Sequence, residues 1–224
     1  MLLNDKQQNL LGELLGTAML VIAVVGSGIA AQRLTTDPGL RLLINAFATS
    51  GALLALITAF SSICASRFNP AVTLLAATKG RVKPADAAME IAVQILGGIL
   101  GVLAANVMFG ASVLGPSTTN RSSGRLIFSE VLATVGLLLI VDFAARRNTA
   151  PVMAAVVAGW IGGAYFFTSS TSFANPAVTI ARSLTDSYTG IAPASIVGFI
   201  SAQLVGTLIA AGVIAVVKDS EAPD

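Results

Sequence analysis

The residues whose types and spacing suggest chemistry are few, and they come in pairs. Asn69-Pro70-Ala71-Val72-Thr73 recurs as Asn175-Pro176-Ala177-Val178-Thr179. A carboxylate precedes each copy, in Glu13-x-x-x-Thr17 and Glu130-x-x-x-Thr134, and an amide follows each, in Gln94-x-x-Gly97 and Gln203-x-x-Gly206. The pairs run in the same order, separated by 117 residues (13 to 130), 106 (69 to 175) and 109 (94 to 203). Two carboxylates can support acid–base chemistry when their proton affinities are tuned beside a substrate. This chain has no His and a single Cys, Cys64, so the usual proton shuttle and metal ligand are missing. No catalytic residue, metal ligand or cofactor is expected. Cys64 makes no intrachain disulfide and reads as a packing residue.

What the pairs suit is the shaping of a passage. Asn directly before Pro is a helix-start signal, since Asn caps and Pro is at ease in the first turn. Each copy is followed by a short apolar segment, 70–79 and 176–185, about half the length needed to cross a bilayer. Two half-helices entering from opposite faces would bring their N-termini together near the midplane. Each terminus carries roughly half a positive elementary charge, and the amides of Asn69 and Asn175 would add donors. Such a point favours neutral solutes with oxygen acceptors and disfavours cations, including protons relayed along water. Glu13 and Glu130 read either as interfacial residues or as braces that accept hydrogen bonds from the non-helical backbone entering each half-helix.

These features must be held by membrane-spanning elements. Hydrophobic residues make up 55% of the 224 residues, charged residues 11%, and the mean hydropathy is +0.84. Apolar runs at 11–31, 41–60, 87–109, 126–145, 151–168 and 194–217 approach the ~20 residues of a spanning helix, so the first is read as retained rather than cleaved. The net charge of +2 gives no ground for nucleic-acid binding. With the N-terminus cytoplasmic, Lys6, Lys79, Arg81, Lys83, Arg146, Arg147 and Lys218 lie inside, against Arg33, Arg41, Arg121 and Arg125 outside. That bias places both termini in the cytoplasm. The Ser/Thr-rich stretch Gly115–Gly124 reads as an outer linker between two repeats, 1–115 and 116–224, the second inserted upside down. Gly12/Gly16, Gly97/Gly101 and Gly159/Gly163 have the spacing of close helix contacts.

The paired boxes, with the Glu and Gln markers of each half, resemble the major intrinsic protein family of aquaporins and aquaglyceroporins. The resemblance covers the whole chain. It implies an all-α membrane protein with six transmembrane helices and two re-entrant half-helices in a right-handed bundle, assembled as a homotetramer with one pore per subunit. The implied cargo is water or small uncharged solutes, without a cofactor, across the cell (inner) membrane. Asn69, Pro70, Ala71, Asn175, Pro176 and Ala177 are the implied pore boxes. Counting from them places Thr49, Gly163, Ser172 and Val178 at the outer selectivity filter, where water-selective members carry bulky aromatic, His and Arg side chains. Val178 stands where most members have Arg.

The resemblance thus implies a widened, neutral filter that admits polyols, neutral metalloid acids such as arsenite, or methylated arsenicals. Ser172-Phe173-Ala174 before the second box and Thr179-Ile180-Ala181-Arg182 after it look like the bacterial branch associated with arsenic resistance. Two charges stand near the passage. Arg182 lies one helical turn beyond Val178, either replacing the missing filter Arg or ending the half-helix in a pair with Asp186. Arg67, two residues before Asn69 where many members have His, either snorkels or puts a positive charge in the inner lumen. A water-selective osmotic channel, and a proton- or ion-coupled transporter or anion channel of formate-channel-like architecture, are the alternatives.

Overall fold

The computed structural model describes residues 2–146 and 149–217; Arg147 and Lys218, two of the inside charges, lie outside the described residues. Among the described residues eight helices follow in order: α1 (Asp5–Leu34), α2 (Pro38–Phe60), α3 (Pro70–Thr78), α4 (Pro84–Met108), α5 (Gly124–Ala145), α6 (Ala150–Phe167), α7 (Pro176–Arg182) and α8 (Pro193–Val216). Six are long and apolar enough to cross a membrane, and α3 and α7 are the two short ones. The fold is the all-α membrane arrangement that the apolar runs imply.

Local signals set the boundaries. Helix α1 begins six residues before the expected 11 because Asn4 and Gln7 form a reciprocal capping box, Asn4 Oδ1 accepting from Gln7 N and Gln7 Oε1 from Asn4 N. Six of the eight helices carry Pro at the first position or the one after it. The second half-helix ends at Arg182, short of the expected 185, where Ser183 N and Leu184 N turn to Ile180 O and Ala181 O at 3.2 and 3.0 Å and tighten the last turn, and other segments meet the carbonyls that follow. Ser183 O accepts from Ser117 N at 3.0 Å, Leu184 O from Gly115 N at 3.2 Å, and Arg182 O from Ile191 N at 3.3 Å. The linker between the halves is thereby laid along the end of α7.

Packing repeats between the halves. Helix α1 packs on α4 and α5 on α8, while α2 packs against α6. Helix α3 lies against α4 and α8, and α7 against α8 and α4. The α1–α4 contact is close enough that a Cβ on Gly97 would sit 2.3 Å from Leu14 O, and one on Gly101 2.4 Å from Ala18 O. Only a residue without a side chain lets the two backbones approach so far. The Gly159/Gly163 pair does not serve this purpose. Both residues are exposed, on the outward stripe of α6 with Val152, Ala155 and Phe166, and a Cβ on Gly159 would meet nothing within 4 Å.

Candidate functional site

The backbone entering each half-helix is strained in the same way in both halves. Ser66 and Phe68, three and one residues before Asn69, have φ of 51° and 49°; Ser172 and Ala174, at the same offsets from Asn175, have φ of 49° and 44°. Left-handed conformations cost non-glycine residues about 1–2 kcal/mol each, so something must hold them. Glu13 Oε1 and Oε2 accept from Arg67 N and Phe68 N at 2.9 and 2.8 Å, and Oε2 also from Gln94 Nε2 at 2.8 Å. Glu130 accepts from Phe173 N, Ala174 N and Gln203 Nε2 at 2.9, 2.9 and 2.8 Å. Gln94 and Gln203 donate onward to Thr73 and Thr179, which lie in the two boxes. Both carboxylates are fully buried inside the protein. Hydrogen bonds to a buried charge contribute about 1.5–3 kcal/mol each, enough to offset the strained residues they hold.

The two boxes meet and lock. Asn69 Oδ1 accepts from Ala71 N at 2.9 Å, and Asn175 Oδ1 from Ala177 N at 3.0 Å and Val178 N at 3.2 Å, each capping its own helix. Their Nδ2 groups cross over: Asn69 donates to Ala174 O and Asn175 to Phe68 O, both at 2.8 Å. The left-handed residue before each Asn therefore turns its carbonyl toward the opposite box. Each amide keeps one further N–H, and both Asn side chains line the central cavity. Pro70, Ala71, Pro176 and Ala177 are buried behind them.

That cavity has a volume of about 340 Å³ and runs past both boxes. Leu20, Val24, Leu53, Leu137 and Val157 give it apolar walls. Thr49, Ser172 and Val178 line it at one end, as the spacing from the boxes places them. Gly163 does not. The α6 residues on the wall are Ala150, Met153, Val157, Ile161 and Tyr165, a ridge at helical spacing, and Gly163 lies about 200° around the helix from Ile161. Counting back from the second box fails because the helix phase, not residue number, decides which side chain faces inward. The α6 residue that lines the cavity beside Thr49 is Tyr165, a large side chain where a bare backbone is expected. Its hydroxyl lies 3.0 Å from Thr49 Oγ1. One hydroxyl proton of this pair stays available to a third partner. Ser172 Oγ, buried beside the same end, has no partner among the described residues.

Arg182 is 2% exposed and lines the cavity one turn beyond Val178. Its Nε donates to Thr189 O, and its guanidinium lies 3.4 Å from the centre of the Phe173 ring. The alternative pairing with Asp186 does not form, because Asp186 Oδ1 accepts from Thr118 N at 3.0 Å and Thr118 Oγ1 at 3.1 Å. Arg121 faces the same ring at 5.1 Å and donates to Gly190 O. Neither Arg has a carboxylate within salt-bridge distance among the described residues. At the other end Arg67 lines the cavity rather than snorkelling, paired with Glu90 at 2.6 Å. Asp142 and Arg81 complete that mouth. Cys64 is half-buried against Gly12. No cluster of three or more metal-ligating side chains occurs among the described residues.

Sequence reasoning missed Tyr165, Phe173, Arg81, Glu90 and Asp142. The ridge from Val157 through Ile161 to Tyr165 was a usable signal. For Asp142, a carboxylate near the end of an apolar run, the neighbours that matter come from other segments and leave no local trace.

The comparisons with known proteins agree with this geometry. The model of the major intrinsic protein family matches residues 3–172. Aquaglyceroporin AqpS of Rhizobium meliloti (strain 1021) is 39% identical over 208 residues, covering 92% of this chain and 88% of that protein. Among solved structures, the aquaglyceroporin from Plasmodium falciparum superposes with a TM-score of 0.74 at 17% identity, over 95% of this chain and 96% of that one. An FNT family ion channel superposes with a TM-score of 0.56 at 16% identity, over 92% and 86%; at these identities the likeness is one of fold. Six apolar helices around two meeting half-helices, and a family match over most of the length, lead to one conclusion: the chain belongs to the major intrinsic protein family, whose members are passive membrane channels for water and small solutes and not enzymes.

Proposed function

We propose that this channel passes small uncharged hydroxylated solutes together with water, and that its selectivity is set where Thr49, Tyr165, Ser172 and Val178 surround the pore. The solute class comprises glycerol-like polyols, neutral metalloid acids such as arsenite, and methylated arsenicals. The observation that carries the reading is Val178, which gives an apolar wall where the resemblance implies a filter Arg. The unpartnered Ser172 hydroxyl and the free proton of the Thr49–Tyr165 pair supply hydrogen bonds for a solute hydroxyl, and Val178 faces its carbon side. Tyr165 makes this constriction narrower than a glycine would. Arg182, Arg67 and the two Asn amides keep the lumen positive and work against cations.

The same reading makes Asn69, Pro70, Ala71, Asn175, Pro176 and Ala177 the midplane checkpoint and Glu13 and Glu130 its braces. It divides the chain into inverted repeats at 1–115 and 116–224, assembled as a homotetramer in the inner membrane with both termini cytoplasmic. The relative's name, an aquaglyceroporin, supports solute passage over water alone.

Stopped-flow light scattering on proteoliposomes, comparing water, glycerol, arsenite and a small organic anion, tests the proposal. Glycerol and arsenite fluxes well above those of empty liposomes are expected. A rise in water permeability alone would return the channel to the water-selective class, and saturable uptake driven by a pH gradient would point to a coupled transporter.

A further inference from the structure

At the mouth opposite Tyr165, three cations from two chain segments converge on one buried carboxylate. Asp142 Oδ1 takes Lys79 and, at 3.3 Å, Arg81 Nη1, while Oδ2 takes Arg146 Nη2 at 3.0 Å and Nε at 3.2 Å. Lys79 caps α3, Arg81 lies in the turn after it, and Arg146 caps α5. The negative ends of α3 and α5 supply about half an elementary charge each, and among the described residues Asp142 is the one carboxylate within salt-bridge distance of Lys79 and Arg81. Glu90, the nearby carboxylate of this mouth, is committed to Arg67 and also accepts from Asn9 Nδ2 at 2.9 Å.

Arg81 is the loosest member of the cluster. Its side chain is 49% exposed, and its contact with Asp142, at 3.3 Å, is the longest there among the described residues. Its remaining N–H groups have no partner among the described residues, and it lines the cavity together with Asp142. A guanidinium with free N–H groups in a fixed fork is suited to two-point binding of an oxyanion, and the ammonium of Lys79 adds a point charge beside it.

We propose that this mouth binds one phosphate-like oxyanion on Arg81 and Lys79, with Asp142 holding the cations in place, and that the bound anion obstructs solute entry. The ligand chemistry is a tetrahedral oxyanion, either free in solution or carried on a lipid headgroup. The obstruction rests on the reading of the central cavity as the solute pore.

The test uses the full chain in phosphatidylcholine proteoliposomes and measures glycerol flux with inorganic phosphate, or chloride at matched ionic strength, first inside and then outside. A parallel arm replaces about a fifth of the lipid with phosphatidic acid, in chloride only. Half-inhibition at about 1–10 mM phosphate is expected, the range of an exposed two-point contact. Arg81→Gln should remove the inhibition, read within that variant as the ratio of flux in phosphate to flux in chloride, which returns to about one. Slowing by soluble phosphate identifies a free oxyanion, and slowing confined to the phosphatidic acid arm identifies the headgroup. Basal flux without Arg81-dependent slowing in either arm overturns this site and spares the channel reading. Absence of basal flux overturns the channel reading itself.

Discussion

Substituting Val178 by Arg restores the side chain that the family resemblance implies at this position, and the structure predicts what it would meet. Val178 and Arg182 are four residues apart on one face of α7, about 6 Å along the helix, and both line the pore. Two unit charges 6 Å apart at an effective dielectric constant near 20 repel by about 3 kcal/mol. No carboxylate lies within salt-bridge distance of Arg182 among the described residues to offset this. Val178→Arg should therefore lower the thermal stability of the detergent-solubilised protein and suppress glycerol flux while sparing water. Adding Arg182→Ala should recover stability. A cycle of wild type, both single variants and the double variant should return a coupling of about 2–3 kcal/mol. The solute block should persist in the double variant, because the Arg at 178 still occupies the constriction. Coupling below about 0.5 kcal/mol would mean that the two side chains do not share one stretch of lumen. Unchanged glycerol flux in Val178→Arg would remove Val178 from the constriction altogether.

Two further substitutions test the remaining geometry. Tyr165→Ala should raise the flux of polyols larger than glycerol relative to water, by up to about tenfold if it removes a barrier of ~1.4 kcal/mol, whereas Gly163→Ala on the outward face should leave that ratio unaltered; the opposite pattern in vesicle light scattering would reverse the assignment of α6 residues. Glu13→Gln and Glu130→Gln each replace an acceptor oxygen by an NH₂ group that must face a buried donor, at a cost of about 1–3 kcal/mol. Because the two sets of hydrogen bonds match, the two losses measured by thermal unfolding in detergent should agree within about 0.5 kcal/mol, and a neutral result at either position would show that its strained loop is held by something else.

Much of this protein is legible along the chain because the deciding signals are local. Apolar runs of spanning length, Asn-Pro helix starts and recurring Glu, Asn and Gln markers establish six spans and two half-spans within a few residues. Where the ends moved, as at Asp5 and Arg182, a capping box or a tightened last turn accompanies the shift. The pore wall was less legible. Thr49, Ser172 and Val178 follow from their distance to a box, but Gly163 and Tyr165 are two residues apart on a helix whose rotation is set by its packing against α2 and α5. A two-residue error on a helix moves a side chain through 200°, from lumen to lipid.

The contacts that bind the halves together depended wholly on tertiary structure. The sequence determined that Asn69 and Asn175 start helices; only the folded chain decides that each amide also bonds to the carbonyl before the other. Likewise Gln94, Gln203 and the strained loops are brought beside Glu13 and Glu130 only in the folded chain. Capping, hydrophobic period and turn chemistry act over a few residues, so they are written in the order of the chain. Which groups face one another across a pore depends on helix phase and on segments more than a hundred residues apart, such as Asn69 and Ala174, and these are settled only when the helices pack.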